Sequence, residues 1–311
     1  MGAMRHRFYR EEDDLSAILA LVSASATHDG PQAGHLHQGD VVWGLFQNLS
    51  IDPTTCICLF EGEARELRGF VWLFPPNGFG IHVNSALPTA ALIVEMVQWA
   101  EAHLKATHEG GEPLRAFETP EIPSTDLRLM DALAALGYSP SGRAQYQLNL
   151  RDLASSIATP ILPDGAMICP VRLDDADAIE ARVALHREVW APSRFTAAGY
   201  QRLREKPVYL PELDLVAVTA TGDLASYCIV WWDPTTWTGE FEPVGTALSF
   251  RGRGFGKALL LDALHRLKAM GGRNAVVVSE TRAEGEPARR LYEAVGFRRA
   301  LQFEDWERTL L

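Results

Sequence analysis

Apolar and polar residues follow the same order in the two halves of the chain. Residues 11–26 (EEDDLSAILALVSASA) and 172–190 (RLDDADAIEARVALHREVW) each place acidic residues ahead of an apolar spacing that is typical of a helix. Two apolar, strand-like runs follow in each half, over 56–74 and 214–232, and each pair is joined by a turn rich in Gly, Glu or Asp. This pattern predicts a β-hairpin in each half.

A long amphipathic helix, a strand and a second helix complete each half. The long helices are predicted over 89–106 and 256–270, and the second helices lead to Gly137 and Gly296, each followed by an aromatic residue and a closing strand. The order predicts an α+β fold (α/β-type) made of two tandem units. Each unit should be a mixed twisted sheet with helices on both faces.

A segment with two prolines separates the halves. Residues 151–167 (RDLASSIATPILPDGAM) lack apolar periodicity and indicate a linker. The chain has 311 residues, 47% of them hydrophobic, which is enough for two ordinary domains with their own cores. We therefore expect one domain over 1–150 and a second over 168–311.

Charge and apolar runs exclude several classes of partner. The net charge of −11 disfavours nucleic-acid binding, and no apolar run reaches the length of a membrane span. The first nine residues lack the apolar core of a signal peptide. Cys56 and Cys58 alternate onto one face of a predicted strand without a second cysteine pair, which favours free thiols over a metal site. We expect a cytoplasmic monomer or homodimer without a nucleic-acid or membrane partner.

A turn rich in glycine and arginine, residues 251–257 (RGRGFGK), joins an extended run to an apolar helix. Glycines allow a ligand to approach the backbone, and unpaired N–H groups at a helix start attract anions. A dinucleotide fingerprint would need glycine at Lys257, and a P-loop would need glycine at Arg251 and a hydroxyl residue at Ala258. The turn therefore predicts a diphosphate site of another kind, and the alternative is a loop that merely turns the chain.

Two motifs resemble the signatures of the GNAT acetyltransferase superfamily. Arg251, Gly254 and Gly256 match its R/Q-x-x-G-x-G/A turn, and residues 286–297 (EPARRLYEAVGF) match its later A-x-x-L-Y-E-x-x-G-F motif. The motifs occur in the family's order, with a helix and a strand between them. The resemblance is close over roughly 168–311 and is one of layout elsewhere. The whole chain thus resembles a tandem-GNAT protein with a degenerate first unit and an intact second one.

The resemblance implies that acetyl-CoA binds along the strand, turn and helix of the second half. The strand would pair with the pantetheine arm, and the turn would hold the pyrophosphate. The implied CoA-binding residues are Val244, Gly245, Thr246, Arg251, Gly252, Arg253, Gly254, Phe255, Gly256, Lys257 and Ala258. Gly285 departs from the family, which often has asparagine there, so one side-chain contact to CoA is lost or supplied by another residue.

Acyl transfer to an amine benefits from a general base and a general acid, because an alkylamine has a pKa near 10.4. The resemblance makes Tyr292 the acid, close to the CoA sulfur, and the alternative is a tyrosine that packs its helix. Glu240 and Glu242 are the candidate bases, since strand alternation puts them on one face with Val244 and Thr246. A solvated strand edge is the alternative, and Glu242 is preferred because it lies closer to the strand's end.

The first half lacks the glycine-arginine turn and the candidate acid. Residues 84–92 (NSALPTAAL) replace the glycine-arginine turn, and Leu133 aligns with Tyr292. We expect that this half does not bind CoA and forms one wall of the acceptor site. His35 and His37 have a strand-type metal spacing, but without a third ligand nearby we expect a solvated loop and no metal.

The leading hypothesis is an acetyl-CoA-dependent N-acetyltransferase. It would transfer the acetyl group to a primary amine of a small molecule or peptide by direct attack on the thioester. One alternative is an acetyltransferase similar to mycothiol synthase, with an aminosugar-thiol acceptor, which the chain length and the inactive first half fit. Another is a non-catalytic acyl-CoA-binding protein, which Gly285 favours weakly and Tyr292 disfavours.

Overall fold

The computed structural model describes residues 4–109, 111–143 and 145–310. Residues 1–3, which open the stretch analysed for a signal peptide, lie outside the described residues. So does Ala144, at the start of the first half's predicted closing strand. Within the described ranges, no helix is both long and apolar enough to cross a bilayer.

The first half contains the predicted helices and strands, with short additions. In chain order they are β1 (Arg5–Phe8), α1 (Glu12–Asp29), α2 (Gln38–Phe46), α3 (Pro53–Cys56), β2 (Ile57–Glu61), β3 (Leu67–Phe74), β4 (Gly78–Val83), α4 (Ala90–Ala106), β5 (Ala116–Pro123), α5 (Leu127–Ala135), β6 (Ser139–Pro140) and β7 (Tyr146–Asp152). One detail of the prediction is wrong. Cys56 ends α3 and does not share a strand with Cys58, because Pro53 begins a helical turn that Asp52 caps.

The second half repeats this layout. Its elements are β8 (Met167–Pro170), α6 (Ala176–Val189), α7 (Ala197–Arg204), β9 (Asp214–Val218), β10 (Leu224–Asp233), β11 (Thr238–Thr246), α8 (Phe255–Ala269), β12 (Asn274–Glu280), α9 (Glu286–Ala294) and β13 (Arg298–Thr309). The predicted apolar face of α8, formed by Leu260, Leu264 and Leu267, is fully buried against the sheet.

All thirteen strands form one mixed sheet, in the order β1-β2-β3-β4-β5-β13-β7-β12-β11-β10-β9-β8, with β6 beside β13. Helices cover both of its faces. The apolar residues of α8 and α9 pack on one face of the second half, and those of α4 and α5 on one face of the first. The α+β class with tandem units is therefore confirmed.

The closing strands of the two halves are exchanged, which the layout of the sequence did not predict. β7 ends the first half, yet it pairs along its whole length with β12 of the second. The twelve-residue β13 is long enough to bridge the halves. Arg298–Gln302 pairs with β7, and Phe303–Thr309 pairs with β5 of the first half. The two sheets are continuous for this reason.

One apolar core is shared by the two halves. Leu15 of α1 and Val42 of α2 pack in the same cluster as Tyr200 of α7 and Trp231 of β10. All four side chains are buried. The first-half helix α2 therefore lies over the second-half strands β10 and β11 and brings first-half side chains to β11, while α1 reaches β10 through the hydrogen bond from Ser23 to Asp233 at 2.6 Å.

Candidate functional site

The parallel strands β11 and β12 separate part-way along their length. Thr238–Glu240 pairs with Asn274–Val276. Beyond Glu240 the described ladder contains no β11–β12 pair, because β11 continues to Thr246 beside β10 and β12 continues to Glu280 beside β7. The divergence leaves a wedge-shaped opening along β11, the strand that the resemblance assigns to the pantetheine arm.

A β-bulge lies on β11 within this opening. The pairs Cys228–Val244 and Val230–Phe241 enclose one residue on β10 but two on β11, Glu242 and Pro243. An extra residue reverses the alternation of side chains along a strand.

The predicted common face of four β11 residues is therefore wrong beyond the bulge. Glu240 and Glu242 face α2, since their carboxylate oxygens lie within 4.8 Å of an Asp40 carboxylate oxygen. Val244 packs instead against the core under α8 and α9. Thr246 also faces α8, since a Cβ on Gly256 would lie 2.8 Å from the Thr246 Oγ1.

The glycine-arginine turn adopts a backbone conformation that favours glycine. Gly252 and Gly254 have φ values of +74° and +89°, in the left-handed region. Residues 251–254 are exposed, and no side chain caps the first turn of α8. The first backbone hydrogen bond of the helix runs from the Ala258 N–H to the Gly254 carbonyl. The preceding N–H groups of that turn are the ones that a helix leaves free for an anion.

The turn lies against the end of β11. The Arg251 Nε donates to the Thr246 carbonyl at 3.3 Å, and Gly256 permits the close approach of α8 to Thr246. The structure thus brings the predicted CoA-binding residues 244–246 and 251–258 together along one strand, turn and helix start. Their role in binding stays a prediction.

Tyr292 lies on α9 beneath β11. Its ring is buried in the cluster that contains Cys228 and Val244, and its centroid is 6.0 Å from that of Phe297. Burial raises the pKa of the Tyr292 hydroxyl, and the neighbouring Cys228 thiol and Glu242 carboxyl raise it further. Tyr292 therefore holds its proton at neutral pH, as a general acid must before it acts.

Gly285 leaves no room for the asparagine that the family often has. A Cβ at this position would lie 2.4 Å from the Glu280 carbonyl oxygen. Arg289 holds the same loop, since its guanidinium donates to the carbonyls of Glu280 and Arg282. The departure from the family is therefore built into the backbone of this loop.

Glu240 and Glu242 meet a carboxyl group from the first half. Carboxylate oxygens of Asp40, Glu240 and Glu242 all lie within 4.8 Å of one another. Glu240 is 2% exposed, so it lies in the interior and not at a solvated strand edge. These three residues, the carboxyl cluster, are geometrically able to hold a cation.

His37 completes the surroundings of the carboxyl cluster. It caps α2, because its Nδ1 accepts from the Gly39 N–H at 3.1 Å, while its Nε2 faces the Thr238 carbonyl at 3.3 Å. Burial lowers the pKa of His37, so the ring is neutral with its proton on Nε2. The solvated loop expected for His37 is wrong, since the capping of α2 draws this side chain inward.

The surroundings of Glu240 favour its protonated form. Its Oε2 lies 3.3 Å from the His37 Nδ1, whose lone pair disfavours a carboxylate. Burial raises the pKa of Glu240 to about 8, with a further contribution from the Glu242 charge. Burial and the neighbouring carboxyls also raise the pKa values of Glu242 and Asp40. The cluster therefore binds protons near neutral pH and can exchange them with a ligand.

The carboxyl cluster opens into a cavity of about 1180 Å³ between the halves. The cavity is lined by α1, α2 and β4 of the first half and by β11 and β12 of the second. His35 also lines it and pairs with Asp29, with 2.6 Å between the His35 Nε2 and the Asp29 Oδ2. Residues of both halves therefore line this cavity, and its role as an acceptor site stays a prediction.

Sequence reasoning missed Asp40 and the burial of His37. Their spacing could have identified the start of α2, because His37 and Asp40 form a capping box, with the His37 N–H donating to the Asp40 carboxylate at 2.7 Å. No sequence signal connects them to Glu240, which lies about 200 positions further along the chain.

Comparison with known proteins supports the motifs. Residues 178–297 match the sequence model of the acetyltransferase (GNAT) family, a range that contains both signatures and the two candidate bases. By sequence, no curated protein matches the chain.

Solved structures extend the likeness over both halves. A GCN5-related N-acetyltransferase from Sphaerobacter thermophilus is 18% identical with a TM-score of 0.64, over 98% of this chain and 95% of that one. A tandem GNAT protein from the clavulanic acid biosynthesis pathway is 16% identical with a TM-score of 0.65, over 99% and 98%. A GNAT-family acetyltransferase from Colwellia psychrerythraea is 13% identical with a TM-score of 0.61, over 97% and 99%. At these identities the likeness establishes a shared tandem fold.

Proposed function

We propose that the protein is an acetyl-CoA-dependent N-acetyltransferase that acts on a primary amine, and the match of residues 178–297 to the GNAT acetyltransferase family supports this proposal. The observation that carries this proposal is the position of a proton-binding carboxyl cluster beside the divergence of β11 and β12. The same strand ends at an uncapped helix start. A donor site and a base for the acceptor thus adjoin one strand.

Acetyl-CoA supplies the activated acetyl group as a thioester. The exposed Arg251, Arg253 and Lys257 provide positive charge for its diphosphate, together with the free N–H groups at the start of α8. Residues 244–246 provide backbone groups for its arm. The left-handed glycines at 252 and 254 keep side chains away from that surface.

Glu242 acts as the general base, in contact with Asp40 and Glu240. Burial and the neighbouring carboxyls raise its pKa, and a raised pKa makes this carboxylate a stronger base than an ordinary glutamate. The cluster takes one proton from the acceptor ammonium to give the free amine, and it takes a second when the carbon–nitrogen bond forms. One of those protons passes on to solvent, and the other is returned to the general acid.

Tyr292 acts as the general acid. When the carbon–sulfur bond breaks, its hydroxyl gives a proton to the departing thiolate, and it regains a proton from the carboxyl cluster. Glu242 is close enough to raise the pKa of Tyr292, which suits such a return. The sum is ammonium plus acetyl-CoA giving acetamide, free CoA thiol and one released proton.

A thiol-release assay tests the proposal. The purified chain is mixed with acetyl-CoA and a panel of primary amines that includes peptides and an aminosugar thiol, while calorimetry follows the binding of CoA alone. The expected result is thiol release that depends on an amine. CoA binding without release on any amine would instead favour the non-catalytic acyl-CoA-binding alternative.

The organisation of the chain is part of the same proposal. A catalytic domain over 168–311 carries the donor site, and 1–150 carries the acceptor wall without CoA of its own. The net charge of −11 supports a small cationic acceptor over a nucleic acid. A chain that functions as a monomer or homodimer is consistent with one such site per copy.

A further inference from the structure

The charged side chains that line the cavity between the halves are mostly negative. Among the lining residues that the structure describes, Arg128 is the sole Lys or Arg. Its guanidinium is already engaged, since it donates to the Ser85 carbonyl at 3.0 Å and to Asp29 at 3.4 Å. The lining carboxyl groups are Asp40, Asp52, Glu121, Asp126, Glu240 and Glu242.

Histidines of the lining do not offset these carboxyl groups. Burial lowers the pKa of His37, His82 and His103, that of His82 to about 3, so these rings are neutral. His35 is engaged by Asp29 at 2.6 Å. An anionic ligand therefore finds no free positive side chain in the described lining.

The carboxyl cluster has acceptor capacity that the protein does not use. Glu240 is 2% exposed, and its Oε2 has no hydrogen-bond partner among the described residues. Asp52 and Asp126, by contrast, are occupied as helix caps at the start of α3 and α5. A buried polar atom without a partner calls for an explanation such as a ligand or water. The cluster is therefore the place in the cavity where a cation is best received.

The walls beside the cluster are apolar and aromatic. Leu21 and Val22 of α1, Trp43 of α2, Trp72 of β3 and Phe303 of β13 line the cavity. A divalent metal ion needs neither this volume nor these walls, since it requires a compact shell of oxygen ligands. An apolar body with one cationic end matches both features.

We propose that this cavity is the acceptor site and that it selects a primary amine which arrives as an ammonium ion on an apolar body. Asp40 of the first half, together with Glu242, supplies the carboxyl oxygens that receive the ammonium group, and the positive charge of that group favours their ionised form. Three N–H donors of an ammonium ion match carboxylate acceptors, and such charge-assisted hydrogen bonds are the strong ones. The inference rests on the proposed function and names its acceptor class, and it assigns the first half a direct role in binding.

The test measures binding without acetyl-CoA, so that it does not depend on catalysis. Phenethylamine, its neutral isostere phenylethanol, and ethylamine are titrated into the full chain by calorimetry, with tryptophan fluorescence as a second readout because Trp43 and Trp72 line the cavity. Phenethylamine should bind at least about 10-fold more tightly than either other probe, since only it has both charge and apolar area.

Three variants test which carboxyl groups bind the ammonium ion. Asp40→Asn and Glu242→Gln should each weaken phenethylamine binding about 10- to 100-fold, as expected for lost hydrogen bonds to a charged group, and leave phenylethanol binding unchanged. Glu63→Gln is the matched control, because Glu63 is exposed in the turn between β2 and β3. If loss of the α2 cap unfolds Asp40→Asn, the amine affinity of Glu242→Gln still tests the proposal.

Each contrary result has a distinct meaning. Equal binding of amine and alcohol, or full amine affinity in Glu242→Gln, overturns the inference. So does tight binding of Mg²⁺, Mn²⁺ or Zn²⁺ that requires Asp40 and blocks the amine, since the cluster would then be a metal site. Charge-dependent amine binding without thiol release on any amine keeps this inference and overturns the transferase. Thiol release from amines whose affinity is unchanged in Asp40→Asn and Glu242→Gln keeps the transferase and overturns this inference.

Discussion

In each half, two parallel neighbouring strands separate ahead of a long helix, but the turn that follows is used differently. Among the described residues β4 and β5 pair only at Gly78 and Glu118, and β11 and β12 pair only over their first residues. In the first half the next turn is tied to α1. The Ser85 N–H donates to the Ser25 hydroxyl at 3.2 Å, and that hydroxyl donates to the Val83 carbonyl at 3.0 Å.

The second-half turn is exposed. Residues 251–254 lie at the surface with left-handed glycines, and α8 begins without a side-chain cap. Neither α4 nor α8 has a side-chain cap, but the first-half turn is held against α1 by Ser85, whereas the second-half turn is open to an anion. A shared layout therefore does not imply a shared ligand, because the layout depends on apolar spacing and the ligand site depends on a few turn residues.

The second helix of each half, α5 or α9, also differs between the halves. Leu133 of α5 and Tyr292 of α9 occupy equivalent buried positions, but only the tyrosine carries an ionisable group. β4 has no carboxylate, whereas β11 has Glu240 and Glu242. Substitutions that remove these differences one at a time measure what each contributes.

Tyr292→Phe should have the largest effect. The ring still packs against Phe297, so the fold and CoA affinity should be retained. Turnover should fall about 10²- to 10⁴-fold, the usual contribution of a positioned acid, or roughly 3–5 kcal/mol of barrier. Thiol release on an accepted amine measures the change, with calorimetry of CoA as the control. Near-normal turnover would return Tyr292 to a packing role like that of Leu133.

Gly254→Asp should reduce CoA affinity by about 100-fold or more, equivalent to roughly 2.7 kcal/mol. The change places a side chain and a negative charge where the turn is proposed to hold the diphosphate, at a φ of +89°. Gly222→Asp is the matched control, because Gly222 has a φ of +91° in a turn with equally open surroundings. It should impose similar backbone strain and leave CoA affinity intact. Equal losses in both variants would mean that strain, and not the anion site, caused the effect.

Glu240→Gln tests the buried carboxyl group through stability. The folded-state pKa of about 8 is above the ordinary value of 4.5, so the folded state binds this proton more tightly than the unfolded state does. The free energy of unfolding should therefore fall as pH rises from 4.5 through 8, by up to about 5 kcal/mol. In Glu240→Gln the fall should be clearly smaller. Denaturant unfolding at several pH values measures both slopes, and identical slopes would place the charge elsewhere in the cluster.

Much of this architecture could be predicted because it depends on local signals. Apolar spacing identified the long helices predicted over 89–106 and 256–270, which the structure has at Ala90–Ala106 and Phe255–Ala269. The turn at 251–257 combined special backbone conformation, charge and a helix start in seven residues. Such features depend on neighbours in the sequence, so one chain is enough to recognise them.

Other features depend on contacts between distant residues. The exchange of β7 and β13 depends on which sheet edge each strand pairs with. The exchanged order and an order without exchange would both satisfy the same apolar pattern. The bulge at Glu242 reversed an alternation that was otherwise regular. Asp40 reaches Glu240 only because α2 packs on β10 and β11. The sequence therefore singled out Glu242 as a candidate base, whose role stays a prediction, but it did not predict the neighbours of that residue.

Tyr138→Phe should have the smallest effect and tests the Gly-aromatic position that aligns the two halves. Tyr138 is buried, and its hydroxyl donates to the Glu101 Oε1 at 2.7 Å. Arg308 still pairs with the other oxygen of Glu101, so the substitution removes one hydrogen bond and leaves no buried charge alone. The free energy of unfolding should fall by about 1–2 kcal/mol, as measured by denaturant unfolding.

Tyr9→Phe is the control for that measurement, since the Tyr9 hydroxyl has no hydrogen bond to a protein group within the described residues. It should change the free energy of unfolding by much less. CoA binding and thiol release should be unchanged in Tyr138→Phe, because its position in the first half lies in a core away from β11. A loss of activity without a loss of stability would show instead that packing in this core affects catalysis at β11. The two halves would then be energetically coupled through more than their shared cavity.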